Sequence, residues 1–306
     1  MKISKMRAPC DDAVITSDFE FDSIGMSSSP IPNTLTFAVN SKYLQEAVRN
    51  KNITSIITTE ALAKKVKDRS VLVSSDPMKT FYSIYSEWVD VNVKNGRVPS
   101  ISKKASIHPS AVIADRDVGI DDGVTIEENV VIRSNVYIGK NSTIRSNSVI
   151  GKDGFEIKKI DGINTTVKHN GFVRIGENVE INSGCCIDKG IFSEGTVIGS
   201  HTKIDNLCYV AHNANIGENC QIVGNTTICG SCRIGNNVWI GPSSSISNGI
   251  TIGDNAKVTI GSTVVKDIPA NTVVTGYFAQ EHSLFKERYL KTFPADGNRA
   301  DFLYRG

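Results

Sequence analysis

A chain in which an aliphatic residue returns at every sixth position has few folds open to it. From Ile198 the series runs Ile204, Val210, Ile216, Ile222, Ile228, Ile234, Ile240, Ile246, Ile252, Val258 and Val264, twelve positions in unbroken register. A second run holds Ile120, Ile126, Ile132, Ile138, Ile144 and Ile150, and a shorter third holds Ile175, Ile181 and Ile187. Two interruptions, at 151–174 and 188–197, separate the runs. Six is neither the 3.6-residue period of an amphipathic helix nor the two-residue alternation of a half-buried strand. It is the period of a hexapeptide solenoid, in which each short strand gives one aliphatic side chain to a continuous core.

The fourth residue after each aliphatic supports this. In the long run it reads Thr202, Cys208, Ala214, Cys220, Thr226, Cys232, Val238, Ser244, Ile250 and Ala256, and most of these are small. A narrow solenoid has little room at such a second inward site, and cysteine serves there as a small hydrophobe. Cys185 has the same phase, so four of the seven cysteines have a packing role; Cys186, Cys229 and Cys10 do not fit it. The odd count and the spacing match neither a disulfide framework nor a zinc site. Glycine often follows the aliphatic residue, as at Gly199, Gly217 and Gly235, which suits a tight corner.

The flanks lack the period. Residues 1–104 read as a small α/β domain and linker. Strands are expected around Leu35–Val39, Ile53–Thr58 and Ser70–Ser74, and helices over Glu60–Lys67 and Pro77–Trp88, with 92–104 as the linker. Residues 105–278 form the solenoid, and 279–306 a C-terminal helix, Ala279–Phe293, with a loose tail. The chain of 306 residues is 22% charged with a net charge of +2, so no field for nucleic acid is implied. No apolar run reaches the length of a membrane span, and the N-terminus lacks the apolar core of a signal peptide, so a cytoplasmic protein is expected.

There are five histidines. On a solenoid surface each is, to begin with, a solvated or hydrogen-bonded group. His212 stands out by its company. It lies two residues after Val210, near a corner, and eighteen residues on is Gly230, whose backbone N–H no side chain covers. A base beside a bare N–H suits acyl transfer, which needs proton removal and oxyanion stabilisation. Asp205 either holds the imidazole in the right tautomer or bonds nearby corner N–H groups, and spacing alone leaves both open.

The blocks Ile150-Gly151-Lys152-Asp153-Gly154-Phe155, Val179-Glu180-Ile181, Ile187-Asp188-Lys189-Gly190, Ile204-Asp205-Asn206 and Ala211-His212-Asn213 resemble, in order and spacing, the UDP-3-O-acylglucosamine N-acyltransferases of lipid A biosynthesis. These belong to the hexapeptide-repeat acyltransferases. The resemblance spans roughly residues 30–278 and implies a mostly β fold, a left-handed parallel β-helix. It makes His212 the general base, Asp205 its support and Gly230 the oxyanion donor, with Asp153, Phe155 and Asn206 among the substrate-binding residues. The segment Leu35–Tyr43 resembles the family's uridine-binding segment. Phe37 and Tyr43 then sandwich the base and Asn40 bonds it, although Phe37 read by itself is a core residue. The implied reaction moves an acyl group, a 3-hydroxyacyl group, from the thioester of acyl carrier protein or coenzyme A to the amine of a nucleotide-linked amino sugar. It needs no bound cofactor or metal. The family is homotrimeric.

Four departures bear on the sugar, the acyl length and the donor, one being a C-terminus unlike the paired helices that meet acyl carrier protein in the family. Ser247-Asn248-Gly249-Ile250-Thr251 lacks the family's second histidine; Val167-Lys168-His169-Asn170-Gly171 lacks its Pro-Gln pair; Val258-Thr259-Ile260-Gly261-Ser262-Thr263 stands where its Met-rich segment would be. They keep open an alternative in surface-polysaccharide (O-antigen) synthesis, with a short acyl group moved onto another nucleotide amino sugar. A metal-dependent hydratase on the same solenoid would need three converging histidines, for which the spacing of His201 and His212 offers no third partner. A purely structural solenoid would not need the Phe37–Tyr43 segment.

Overall fold

The structure is a computed structural model that describes residues 1–6, 14–15, 18–93, 96–276 and, near the C-terminus, 283–284, 287–288 and 291. From Ser100 to Val274 the backbone winds as a triangular prism, a left-handed parallel β-helix. Each turn passes through three faces in the same order. Face I has eight strands, face II nine and face III eight. The six-residue series maps onto them directly: Ile198, Ile216 and Ile234 stack on face I, Ile204, Ile222 and Ile240 on face II, and Val210, Ile228 and Ile246 on face III. All nine are buried. The interior positions expected to be small, from Thr202 to Ala256, are buried as well, including Cys208, Cys220 and Cys232. Full burial of one such aliphatic side chain contributes about 1.5–3 kcal/mol, and here the contribution repeats rung after rung.

The corners differ from expectation in one respect. The residue in the left-handed region is the third after the aliphatic, as at Asn213, Asn219, Asn225 and Ser231, with φ of 55–60°. Asparagine tolerates this conformation because its short polar side chain bonds locally. The glycines directly after the aliphatic residue have another cause. A Cβ on Gly199 would lie 2.5 Å from the backbone of Gly217, and one on Gly217 2.5 Å from Gly235. These glycines permit close approach of successive turns; they do not make the bend. A further correction concerns the linker. Ser100–Ile101 pairs with Gly119–Ile120, so the prism starts inside the stretch expected to join the domains. Ile101 is 41% exposed on this first rung, which weakens its hydrophobic signal.

The N-terminal region contains β1 (Val14–Ile15), β2 (Ser23–Ile24), β3 (Thr34–Ala38), β4 (Ile53–Thr58) and β5 (Ser70–Val73) in the order β1-β5-β4-β3-β2, parallel except for β1. Helices α1 (Ser41–Arg49), α2 (Glu60–Ala63) and α3 (Pro77–Val93) complete it. The expected helix at 60–67 is thus shorter, and α1 was not expected. Asp76 caps α3, accepting from the Lys79 N–H at 3.0 Å. Of the expected C-terminal helix, positions 283, 284, 287, 288 and 291 are helical; its remainder and the tail lie outside the described residues, as does Cys10. Among the described residues no helix is long and apolar enough to cross a membrane.

Both interruptions of the repeat leave the prism at the corner between faces III and I. The first carries an antiparallel hairpin, Ile157–Ile160 with Ile163–Thr166, and the second is the loop 189–194. The N-terminal region docks on them. Its core of Phe21, Leu35, Phe81 and Tyr85 continues into Val167, Ile191 and Phe192. Phe192, at φ 52°, donates its N–H to the Tyr85 hydroxyl at 3.0 Å, and Lys79–Asp161 and Lys168–Asp90 pairs tie the hairpin to α3. Two apolar regions are thereby joined at one edge of the prism.

Candidate active site

That edge holds a cleft of about 340 Å³. Its walls come from four stretches of chain. Met26, Ser28 and Tyr82 belong to the N-terminal region, Glu156 and Lys158 to the hairpin, and Ile191, Phe192 and Glu194 to the second loop. His212, Asn213, Ser231 and Asn248 come from the corners of the prism, and Arg233 from a face I strand.

His212 leaves the prism just after the face III strand Tyr209–Val210, and its side chain is 12% exposed. Its Nδ1 lies 3.2 Å from Asn213 Oδ1. The same amide oxygen accepts the Ile191 N–H at 2.9 Å, which identifies it as an acceptor. The proton of the neutral imidazole therefore sits on Nδ1, and Nε2 carries the lone pair. Nε2 stands 3.8 Å from Glu156 Oε2. The other oxygen of Glu156 is held by Lys158 at 2.5 Å, and the Lys158 ammonium lies 5.9 Å from the centre of the Tyr82 ring. Burial, and after it the Glu156 charge, pushes the Tyr82 hydroxyl above its ordinary range. Burial also raises the Glu194 carboxyl, against the opposing charge of Arg233.

One turn above, Gly230 lies against the imidazole. A Cβ there would come within 2.5 Å of His212 Cε1 and 2.8 Å of Nε2, so only glycine leaves room for this ring. Cys229 N–H bonds the Ile246 carbonyl and Ser231 N–H the His212 carbonyl; the Gly230 N–H between them donates to no group among the described residues. Asn248, a further turn up, lines the cleft from the stretch that lacks the family's second histidine.

Beneath His212 lies a buried polar layer that sequence reasoning did not assign. His169 is 3% exposed, with its ring edge-to-face to that of His212. Asp188 is fully buried, accepts the Tyr209 hydroxyl at 2.5 Å and has Lys152 at 3.5 Å. Gly154 closes the layer: a Cβ on it would be 2.8 Å from Asp188 Oδ2, 3.2 Å from His169 Nε2 and 3.3 Å from His212 Cδ2.

The remaining expected site residues fall into three groups. Asp153 is near the cleft, paired with Lys189 at 2.9 Å and accepting the His169 N–H at 3.3 Å, while Phe155 is 82% exposed on the hairpin stem. Asp205 and Asn206 lie at a different corner, between faces II and III. Asp205 lines a separate depression of about 490 Å³, as does His201 from the corner between faces I and II. The expected Asp205–His212 pair does not form within the chain. The seven residues between them cross the whole of face III. Asp205 accepts instead from Asn182 at 3.1 Å, Asn206 at 2.9 Å and the Gly224 N–H at 3.1 Å. Bonds from Asn206, then Asn182, hold its carboxyl below the usual range. Asn206 also accepts the Ser183 N–H at 3.1 Å. Within the chain the imidazole is oriented by Asn213, and Asp205 takes the corner role that spacing left open.

In the N-terminal region Asn40 is the N-cap of α1, with its side-chain oxygen accepting the Tyr43 N–H at 3.1 Å, so that oxygen is engaged by backbone. Phe37 is half-buried and packs on Phe81, ring centres 4.6 Å apart, while Tyr43 is 43% exposed. The core reading of Phe37 therefore holds at least for one ring face.

The profile described as Bacterial transferase hexapeptide (six repeats) matches residues 117–152, 195–230 and 231–266. The UDP-3-O-acylglucosamine N-acyltransferase 2 of Sulfurimonas denitrificans is 35% identical over 235 residues, covering 66% of this chain and 70% of that protein. The UDP-3-O-acylglucosamine N-acyltransferase of Maricaulis maris is 51% identical over 70 residues, which are 23% of this chain and only 20% of that relative's length. Among solved structures, a UDP-N-acetylglucosamine acyltransferase aligns over 67% of this chain and 81% of its own, at 26% identity and a TM-score of 0.48.

Proposed function

The chain belongs to the family of the UDP-3-O-acylglucosamine N-acyltransferases, and from that premise we propose that it acylates the amine of a nucleotide-linked amino sugar at the His212 cleft. The observation that carries this is the fit of an imidazole, its lone pair at Nε2, onto the bare α-carbon of Gly230 at the mouth of a cleft. In the proposed step the amine nitrogen attacks the thioester carbonyl and a C–N bond forms. His212 Nε2 takes the N–H proton. The Gly230 N–H donates to the oxyanion, the C–S bond breaks, and the leaving thiolate recovers the proton from the imidazolium. The donor is a thioester of acyl carrier protein or coenzyme A. Tyr43 and the open face of Phe37 receive the nucleotide base, with Asp153 and Phe155 at the approach. The working assembly is a homotrimer, with the acyl chain lying along the prism between copies.

The test is mass spectrometry of products from UDP- and dTDP-linked amino sugars offered with 3-hydroxyacyl and short acyl thioesters. An N-acyl product from at least one pair is expected, and the pair that reacts distinguishes a lipid A substrate from a surface-polysaccharide one. No N-acyl product from any pair, with the protein folded, would overturn the reading.

A further inference from the structure

Glu156 faces the reactive nitrogen of His212 from a part of the chain outside the repeat. Its carboxylate is fixed in a particular pose. Oε1 is held by Lys158 at 2.5 Å, and Lys158 is steadied over the Tyr82 ring. Oε2 is left pointing toward His212 Nε2 at 3.8 Å. The imidazole is fixed just as firmly, because Asn213 Oδ1 accepts from Nδ1 and leaves Nε2 as an acceptor. Two acceptors thus face each other across a distance too long for a bond between them and short enough to share one donor atom. Both side chains are largely buried, 23% and 12% exposed, so a donor placed there is read in a partly desolvated setting.

We propose that Glu156 and His212 together form an amine-reading clamp, which makes Glu156 a specificity-determining residue for amine over hydroxyl acceptors. A primary amine offers two N–H groups, one for each acceptor. A hydroxyl in its place has a single O–H, satisfies one acceptor and sets its oxygen lone pairs against the other. Sites built to bond a particular donor discriminate strongly because the wrong ligand leaves buried polar groups unpaired. The same carboxylate also faces the imidazolium formed when His212 takes the proton, so its charge favours the direction of proton transfer. This inference rests on the proposed function, since it names what that site reads.

The test compares calorimetric binding of UDP-glucosamine and UDP-glucose, which differ at one amine or hydroxyl, to the wild-type protein and to Glu156→Gln and Glu156→Asp variants. The wild type is expected to prefer the amine by about ten- to a hundredfold, the range of one charge-assisted bond. Glu156→Gln is expected to lose most of that preference, and Glu156→Asp to keep part of it, with UDP affinity unchanged in both. A wild type without amine preference, or a Glu156→Gln variant that retains it in full, would overturn the proposal. Absence of acyl product is a separate readout and bears on the catalytic reading. Glu156 sits at the hairpin stem, so folding is checked by thermal melting, and the Asp variant reads the same clamp with its charge intact.

Discussion

The rings of His169 and His212 lie edge-to-face with centres 5.6 Å apart, the first buried and the second lining the cleft. His169 Nδ1 bonds the Val167 carbonyl at 3.0 Å, and its Nε2 is buried without a hydrogen-bond partner among the described residues. Burial holds this imidazole below its ordinary protonation range, against the opposing charge of Asp153. The unfolded chain takes up the proton near 6.5, as free histidine does. Below that value the unfolded state holds more protons than the folded one, so stability falls as pH falls. Thermal melting of wild type and His169→Gln between pH 7.5 and pH 5 should show the wild type losing more stability on acidification. Parallel curves would show that His169 does not titrate differently on folding.

Replacing His212 with Ala should lower turnover by about 10²–10⁴-fold, the usual effect of removing a general base. UDP binding and the melting temperature should change little, because the side chain lies at a corner and outside the stacked core. Steady-state kinetics alongside calorimetry would check this. Turnover like that of the wild type would remove His212 from the mechanism.

Gly230→Ala is a sharper test, since it adds one carbon. The new Cβ would fall 2.5 Å from His212 Cε1 and must displace the ring. A misplacement of this order costs on the order of 10²-fold in rate. The prism should remain folded, since the ladder bonds on either side are unaffected. An active Gly230→Ala variant would mean that the imidazole need not sit where it does.

The interior cysteines should behave as volume, not as chemistry. Cys220 is fully buried and its thiol is raised by burial, so it should resist a thiol reagent in the folded protein. Cys220→Ala should be mild, while Cys220→Leu should cost about 1–3 kcal/mol by overpacking a narrow prism. Chemical denaturation of the two variants gives the comparison, and equal tolerance of Leu would contradict the narrow interior.

Phe37 and Tyr43 should separate under substitution. Phe37 packs on Phe81 and Tyr82, so Phe37→Ala should reduce both stability and UDP affinity. Tyr43 is largely exposed, so Tyr43→Ala should weaken UDP binding with no change in melting. Loss of roughly 1–3 kcal/mol in binding is the scale for one stacked base. Unchanged UDP affinity in both variants would move the nucleotide elsewhere.

The prism was legible because its signal is repeated: the interruptions at 151–174 and 188–197 reset the phase, but each run between them is long enough to show the period by itself. His212 and Gly230 were legible for the same reason, since eighteen residues is one turn and the phase places both at one corner. Of the two readings that spacing left open for Asp205, the corner one holds within the chain, since seven residues cross an entire face and its carboxylate accepts the Gly224 N–H. Glu156 and His169 lie in the first interruption, where no period constrains the backbone and the pose depends on docking against α3. Helix α1 was hidden behind the reading of Asn40 as a base-binding residue. Its buried Leu44 and Ala47, three apart, together with a capping asparagine, were the available signal.

Both interruptions emerge at a single edge, where the pairing of Val149–Lys152 with Cys186–Asp188 shifts register after Ile150, while the neighbouring rungs keep theirs. Closing a longer loop costs little more than closing a short one. That edge is therefore a place where segments can be exchanged, lengthened or reshaped with small effect on the stack, so acceptor preference and scaffold integrity are separable design variables in this architecture.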